Sequence, residues 1–122
     1  MVFSRITPMI THYLDLPSVL KSLGNDQQLL NDTLKLTMRV LPKQIQNLEM
    51  AFNSPLTDEI TLTAHTLKGS LAIFLCRPLI DAAFAIEQAG RANEKLKAQE
   101  LFRTLKPDLN KFLLEIEEQL KT

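Results

Sequence analysis

The chain has 122 residues, 45% hydrophobic and 23% charged, with 14 basic and 14 acidic side chains and no net charge. That is the composition of a globular protein, and a chain of this length can bury about two-thirds of its unfolded surface in one domain spanning 1–122. No basic excess is available to hold nucleic acid or an anionic membrane, no apolar run approaches the ~18–20 residues of a membrane span, and the N-terminal Met-Val-Phe-Ser-Arg-Ile-Thr-Pro lacks the apolar core of a signal peptide. The cytoplasm and protein partners are therefore expected.

Three glycines and six prolines punctuate the chain, and neither an alternating strand pattern nor an Asn-Gly or Asp-Gly turn occurs. The pattern predicts an all-α fold. Residues from about 8 to 23 form two short helical pieces parted near Asp15-Leu16-Pro17, the second opened by Pro17 or Ser18 and ended at Gly24. Asn25 or Asp26 caps a long helix over about 27–52. Its stripe is Leu30, Leu34, Met38, Leu41, Ile45, Leu48 and Phe52, and Pro42 bends it. Asn53-Ser54-Pro55 is a turn.

Thr57 or Asp58 caps the next helix, which runs to about Leu75 or Cys76. Its apolar positions Ile60, Ala64, Leu67, Leu71 and Phe74 step by four, three, four and three, as a core-facing helix stripe does. Arg77-Pro78 opens a further helix with Leu79, Ala82, Ala83, Ile86 and Ala89 inward, and Gly90 at or just past its end. The last helix, about 93–119, carries Leu96, Leu101, Leu105, Leu109, Phe112, Leu113, Ile116 and Leu120 inward, with Pro107 as a bend. Glu115, Glu117, Glu118 and Lys121 read as its solvated face. Four substantial helices on short links predict an antiparallel up-down four-helix bundle with a short N-terminal helical cap. Every stripe is used by the bundle, so a monomer is expected.

Several chemistries lack their residues. There is no glycine-rich phosphate loop. Cys76 is the one cysteine, and His12 and His65 lie far apart, so neither a disulfide framework nor a metal-ligand spacing exists. No Asp/Glu pair stands near His65 in sequence. At about 100° per residue, the stripe of its helix is centred roughly 220° around from His65, so the imidazole points away from the core. Thr61, Lys68, Gly69 and Ala72 lie within about 60° of it. A lone helix histidine is ordinarily just a surface residue. Here a glycine, which costs about 1 kcal/mol in mid-helix, stands one turn on, and a lysine stands beside it. A neutral imidazole can take a phosphoryl group on one ring nitrogen and release it. Lys68 offers a point charge to the phosphoryl oxygens, Gly69 removes bulk in a partner's path, and Thr61, Leu62, Thr66, Ala72 and Ile73 form the docking surface.

Ala64-His65-Thr66-Leu67-Lys68-Gly69-Ser70 resembles the signature of histidine-containing phosphotransfer (HPt) domains. The resemblance extends upstream to Leu23-Gly24-Asn25-Asp26 before a proline-bearing helix and downstream to Ile86-Glu87, covering about residues 15–118. It implies a phosphocarrier, not an enzyme, in a multistep His-Asp phosphorelay. His65 would take the phosphoryl group from a receiver-domain aspartate and pass it to another receiver, with Lys68 and Gly69 at the family's positions for phosphoryl contact and partner access. The implied partners are response regulator receiver domains and a hybrid sensor kinase. No cofactor of its own is implied, since the receiver supplies Mg²⁺. The chain differs from the family at Leu71, Ile73 and Leu75, where small residues and a glycine are frequent, so the end of the His65 helix is expected to be built differently. The alternative is a non-catalytic helical adaptor that binds receivers or a kinase without carrying phosphate.

Overall fold

Residues 12–121 are described by a computed structural model, and within them every regular element is a helix. The helices are α1 (Leu16–Ser22), α2 (Gln27–Ala51), α3 (Asp58–Ala72), α4 (Arg77–Arg91) and α5 (Lys95–Lys121). The four long helices close a ring of contacts: α2 packs on α3, α3 on α4, α4 on α5 and α5 back on α2, with α1 against α2.

Local chemistry sets the helix ends. The Asp15 carboxylate accepts from the Ser18 N–H at 3.3 Å and opens α1, with Pro17 in its first turn. Asp26 accepts from the Leu29 N–H at 3.0 Å and opens α2. Each carboxylate satisfies an amide that the first helical turn leaves without a backbone partner. Between them Gly24 and Asn25 take left-handed φ of 75° and 60°. Pro42 and Pro107 stand inside α2 and α5. Each removes the N–H that would meet the carbonyl four residues back, yet both helices run on through.

The apolar stripes meet in one core. Leu30, Leu34, Leu41, Ile45 and Leu48 of α2 join Ile60, Ala64, Leu67 and Leu71 of α3, Leu79, Ala83 and Ile86 of α4, and Phe102, Leu105, Leu109, Phe112 and Ile116 of α5. Phe74 meets Phe112 edge-on at 5.2 Å between ring centres. Full burial of each such side chain contributes about 1.5–3 kcal/mol, which makes this shared core the main force holding α3 in place.

Several expectations change. Residues 12–15 are not helical, and the part of the first expected N-terminal piece before residue 12 lies outside the described residues. Helix α3 stops at Ala72, earlier than expected. The chain then turns through Leu75 at a left-handed φ of 60°, a conformation that costs a residue with a Cβ roughly 1–2 kcal/mol. The turn is thus one a glycine would make freely, made here by leucine, and Cys76 then opens α4 in extended conformation. Gly90 does not end α4. It lies inside the helix, buried, and the chain leaves through Ala92 and a left-handed Asn93, so α5 starts at Lys95. Leu96, two residues before the core residue Ala98 and so on the other side of the helix, is 80% exposed and belongs to no core face.

Glu115 is not part of a solvated face. Its carboxylate accepts from the Tyr13 N–H at 2.9 Å and the Leu14 N–H at 2.8 Å, tying the segment before α1 to α5. Tyr13 and Leu14 are themselves buried there. Burial and the neighbouring Asp108 push the Tyr13 phenol up to about 12. Glu115→Ala would leave two amides without their acceptor and is expected to lower stability by about 1–3 kcal/mol. Urea unfolding measures it.

Candidate functional site

Helix α3 presents a continuous exposed ridge of Leu62, His65, Thr66, Gly69, Ala72 and Ile73, all without formal charge apart from whatever proton the imidazole holds. Helical geometry produces this ridge. Ile60, Ala64, Leu67 and Leu71 are drawn into the core, which leaves the residues between them facing out. The Thr66 hydroxyl donates to the Leu62 carbonyl at 3.0 Å, keeping its hydrogen bond within the helix. Thr61, expected on this surface, is half-buried where α3 meets α4, and its hydroxyl donates to the Thr57 carbonyl at 3.2 Å. At Gly69 nothing lies within 4 Å of where a Cβ would stand. The space that this glycine leaves is not used by the described chain.

His65 is 60% exposed, yet its Nδ1 lies 3.1 Å from Oε2 of Glu87 on α4, a side chain only 1% exposed. A sequence search around His65 finds no acidic neighbour, and the fold supplies one from 22 residues away. Glu87 gathers two further cations. Lys68 Nζ is 2.8 Å from Oε1 and Arg91 Nη2 is 2.7 Å from Oε2. Lys68 also lies over the Phe84 ring, 4.6 Å from its centre, a favourable cation–π placement. The lysine expected to serve a phosphoryl group is therefore held, in the unmodified chain, by a buried carboxylate and an aromatic face.

One acid facing three nitrogen donors settles the charge state of Glu87. Burial pushes its carboxyl up, but hydrogen bonds from Lys68 and His65, and the charges of Lys68 and Arg91, outweigh it and hold the group below its usual 4.5. A carboxylate can only accept, so the hydrogen bond with His65 requires the proton on Nδ1. In the neutral ring the lone pair is then on Nε2, at the exposed edge. Because the folded-state value lies below the unfolded one, the stability Glu87 provides is complete above about pH 4.5 and is lost as pH falls through the lower folded value. Urea midpoints should therefore drop on acidification below about pH 4.5, and Glu87→Gln should flatten that drop.

Gly90 makes the approach of the two helices possible. A Cβ there would lie 2.6 Å from the Thr61 hydroxyl oxygen and 3.0 Å from the Thr61 backbone nitrogen. At the same end the Thr57 hydroxyl donates to Oδ1 of Asn93 at 2.7 Å, which joins the start of α3 to the end of α4. A shallow groove beside His65 is lined by Thr61, Leu62, Gly90 and Arg91 among others. Among the described residues, no group of three or more His, Cys, Asp or Glu side chains is placed to hold a metal ion. No described helix is long and apolar enough to cross a membrane.

Sequence reasoning placed His65, Lys68 and Gly69 together, and they are together. It picked out Glu87 only as part of the resemblance, with no role at the site, and it did not find Arg91, Phe84 or the contact made by Gly90. A signal for Glu87 was present: it falls on the α4 face formed by Leu79, Ala83, Ile86 and Gly90, and an acid on a buried face needs cations to meet it.

The described bundle thus exposes one carboxylate-backed imidazole on an uncharged ridge, beside a glycine whose open side no described residue fills. A family model described as the Hpt domain matches residues 32–121, and the chain belongs to that family. Hpt domains act in histidine phosphotransfer within two-component relays, as phosphocarriers rather than enzymes, and interact with receiver domains and kinases. No curated protein and no solved structure matches the chain.

Proposed function

We propose that the chain is the phosphocarrier of a multistep His-Asp relay, accepting a phosphoryl group on His65 from the aspartate of one receiver domain and delivering it to the aspartate of another. The observation that carries this is the hydrogen bond of Nδ1 to Glu87, which leaves Nε2 as the nucleophilic atom on an open surface. Attack by the Nε2 lone pair forms the N–P bond as the O–P bond to the donor aspartate breaks, and its electron pair stays on the carboxylate. Lys68 and Arg91, already beside the ring, supply positive charge to the phosphoryl oxygens. The receiver brings Mg²⁺, and the chain needs no cofactor of its own. The partners are response regulator receivers and a hybrid sensor kinase, met in the cytoplasm by a monomer. We read residues 1–122 as one domain, with α2 to α5 as an antiparallel up-down bundle and α1 as its cap. Short links between helices that pack on each other support that topology.

The docking surface is the α3 ridge, with Leu62 and Ile73 as apolar anchors, Thr66 and Ala72 between them, and Thr61 at its border. Gly69 is the point of closest approach. Gly69→Leu should keep or raise stability, by up to about 1 kcal/mol, because the site is open and glycine is a poor helix former. The same change should slow transfer from a phosphorylated receiver by about tenfold or more by holding the partner off.

The reading is tested by incubating the chain with phosphorylated receivers and following acid-labile, base-stable phosphate onto it and off again to a second receiver. Receiver binding that persists in His65→Ala, with no transfer by the unaltered chain across a panel of receivers, would make it an adaptor instead.

A further inference from the structure

We propose that Phe84 is a positioning residue for phosphoryl transfer: its ring face holds the Lys68 ammonium beside His65, so that the cation is in place before the phosphoryl group arrives. The inference rests on His65 being the phosphorylated residue and goes on to say what places the charge next to it.

Packing gives no reason for an aromatic ring at this position. Phe84 is 39% exposed on α4. It belongs neither to the buried core nor to the apolar side chains packed against that core. Among the described residues it makes no contact with another aromatic ring. What its face does meet is Lys68, whose Nζ stands 4.6 Å from the ring centre. That is inside the roughly 6 Å over which the negative face of a ring attracts a cation.

Lys68 needs such a holder. Its ammonium is a point charge on a flexible four-carbon stem, and a charge helps transfer most when it is already in place. Glu87 supplies one contact, Nζ to Oε1 at 2.8 Å, but its Oε2 also faces His65 and Arg91. Phe84 precedes Glu87 by three residues, so the two are neighbours on one face of α4. Ring and carboxylate thus hold the ammonium together, and two contacts from one helix restrict the stem more than either does alone. The outcome is visible in exposure: the Lys68 side chain is 24% exposed, drawn in against α4, while His65 stays 60% open. A ring also suits the chemistry better than a second acid. The incoming phosphoryl group carries about −1.5 to −2 charge. Another carboxylate would cancel the cation and repel that group, whereas the uncharged ring of Phe84 holds the ammonium and leaves its charge for the phosphoryl oxygens.

The test is the rate of phosphoryl uptake from phosphoramidate, which needs no relay partner and loses ammonia as the imidazole takes the phosphoryl group. A His12→Ala background removes the other histidine. Phe84→Leu, which keeps an apolar side chain but no ring face, is expected to slow uptake about threefold. A ring-fluorinated phenylalanine at position 84, with nearly the same shape but an electron-poor face, is expected to slow it by about the same factor. Phe84→Tyr keeps the face and is the conservative variant that restores the rate. In a Lys68→Met background the same replacements should change nothing further, because the cation they position is gone. Proton spectra of the unaltered chain should show the Lys68 ε-methylene shifted upfield by the ring, a reading that needs no variant to fold. Equal rates for phenylalanine and its fluorinated form, slowing that persists in Lys68→Met, or an unshifted ε-methylene would overturn the inference and leave His65 standing as the carrier. No uptake by the chain with Phe84 intact would overturn both. Failure to pass phosphate on to a receiver, with the ring effect present, would count against the relay function alone.

Discussion

His65→Gln is expected to reduce phosphate uptake from a phosphorylated receiver to the level of a protein with no acceptor, while leaving the fold intact. The two halves of that statement have separate physical grounds. Loss of transfer follows because the described chain offers no other imidazole on the α3 ridge, and glutamine has no lone pair able to form a phosphoramidate at neutral pH. Retention of the fold follows from burial. His65 is mostly exposed, and Glu87 keeps Lys68 at 2.8 Å and Arg91 at 2.7 Å after the imidazole is gone. A change within about 1 kcal/mol is expected from the lost hydrogen bond. Radiolabel transfer together with urea unfolding checks both. A variant that takes up phosphate as well as the unaltered chain would remove His65 from the mechanism.

Gly90→Val is expected to have the largest effect on stability, about 2–3 kcal/mol or more, and to slow transfer as well. The Cβ alone would stand 2.6 Å from Thr61 Oγ1, 3.0 Å from Thr61 N and 3.3 Å from Ile60 Cγ2. The hydroxyl can rotate away, but the backbone nitrogen and the buried Ile60 can move only if α3 and α4 separate. That separation acts on the site directly. Thr61 is one turn before His65, and Glu87 is three residues before Gly90. A helix shift of about 1 Å would break the Nδ1–Oε2 hydrogen bond and is expected to cost tenfold or more in transfer rate. The contrast with Gly69→Leu is informative. Two glycines near one histidine, one against a neighbouring helix and one against open space, should respond in opposite directions in unfolding experiments and in the same direction in transfer experiments.

The stripes of α2 to α5 were legible because burial imposes a three-four period that survives without knowing what each helix touches. His65, Lys68 and Gly69 were legible for the same reason: one helix and simple angles place them on one face. Glu87 was quoted only as part of the resemblance, and its meeting with His65 was not legible, because it depends on the register of α4 against α3, which no local spacing encodes. Gly90 was read as a helix end because glycine commonly ends helices, and a glycine that admits a neighbouring helix has the same letter. Glu115 read as solvated because it stands in an acidic run, and its partners are backbone amides 101 and 102 positions away. The turn after α3 shows the converse. A leucine where glycine is frequent suggested a different helix end; α3 does stop early, at Ala72, and Leu75 itself takes the left-handed conformation that a glycine would take freely.

The most direct measurement of the central claim is phosphorus-31 and nitrogen-15 spectroscopy of the chain after transfer from a phosphorylated receiver. The account predicts one phosphohistidine, at His65, with phosphorus bonded to Nε2. Phosphate on Nδ1 of His65, or on any other residue, would contradict it.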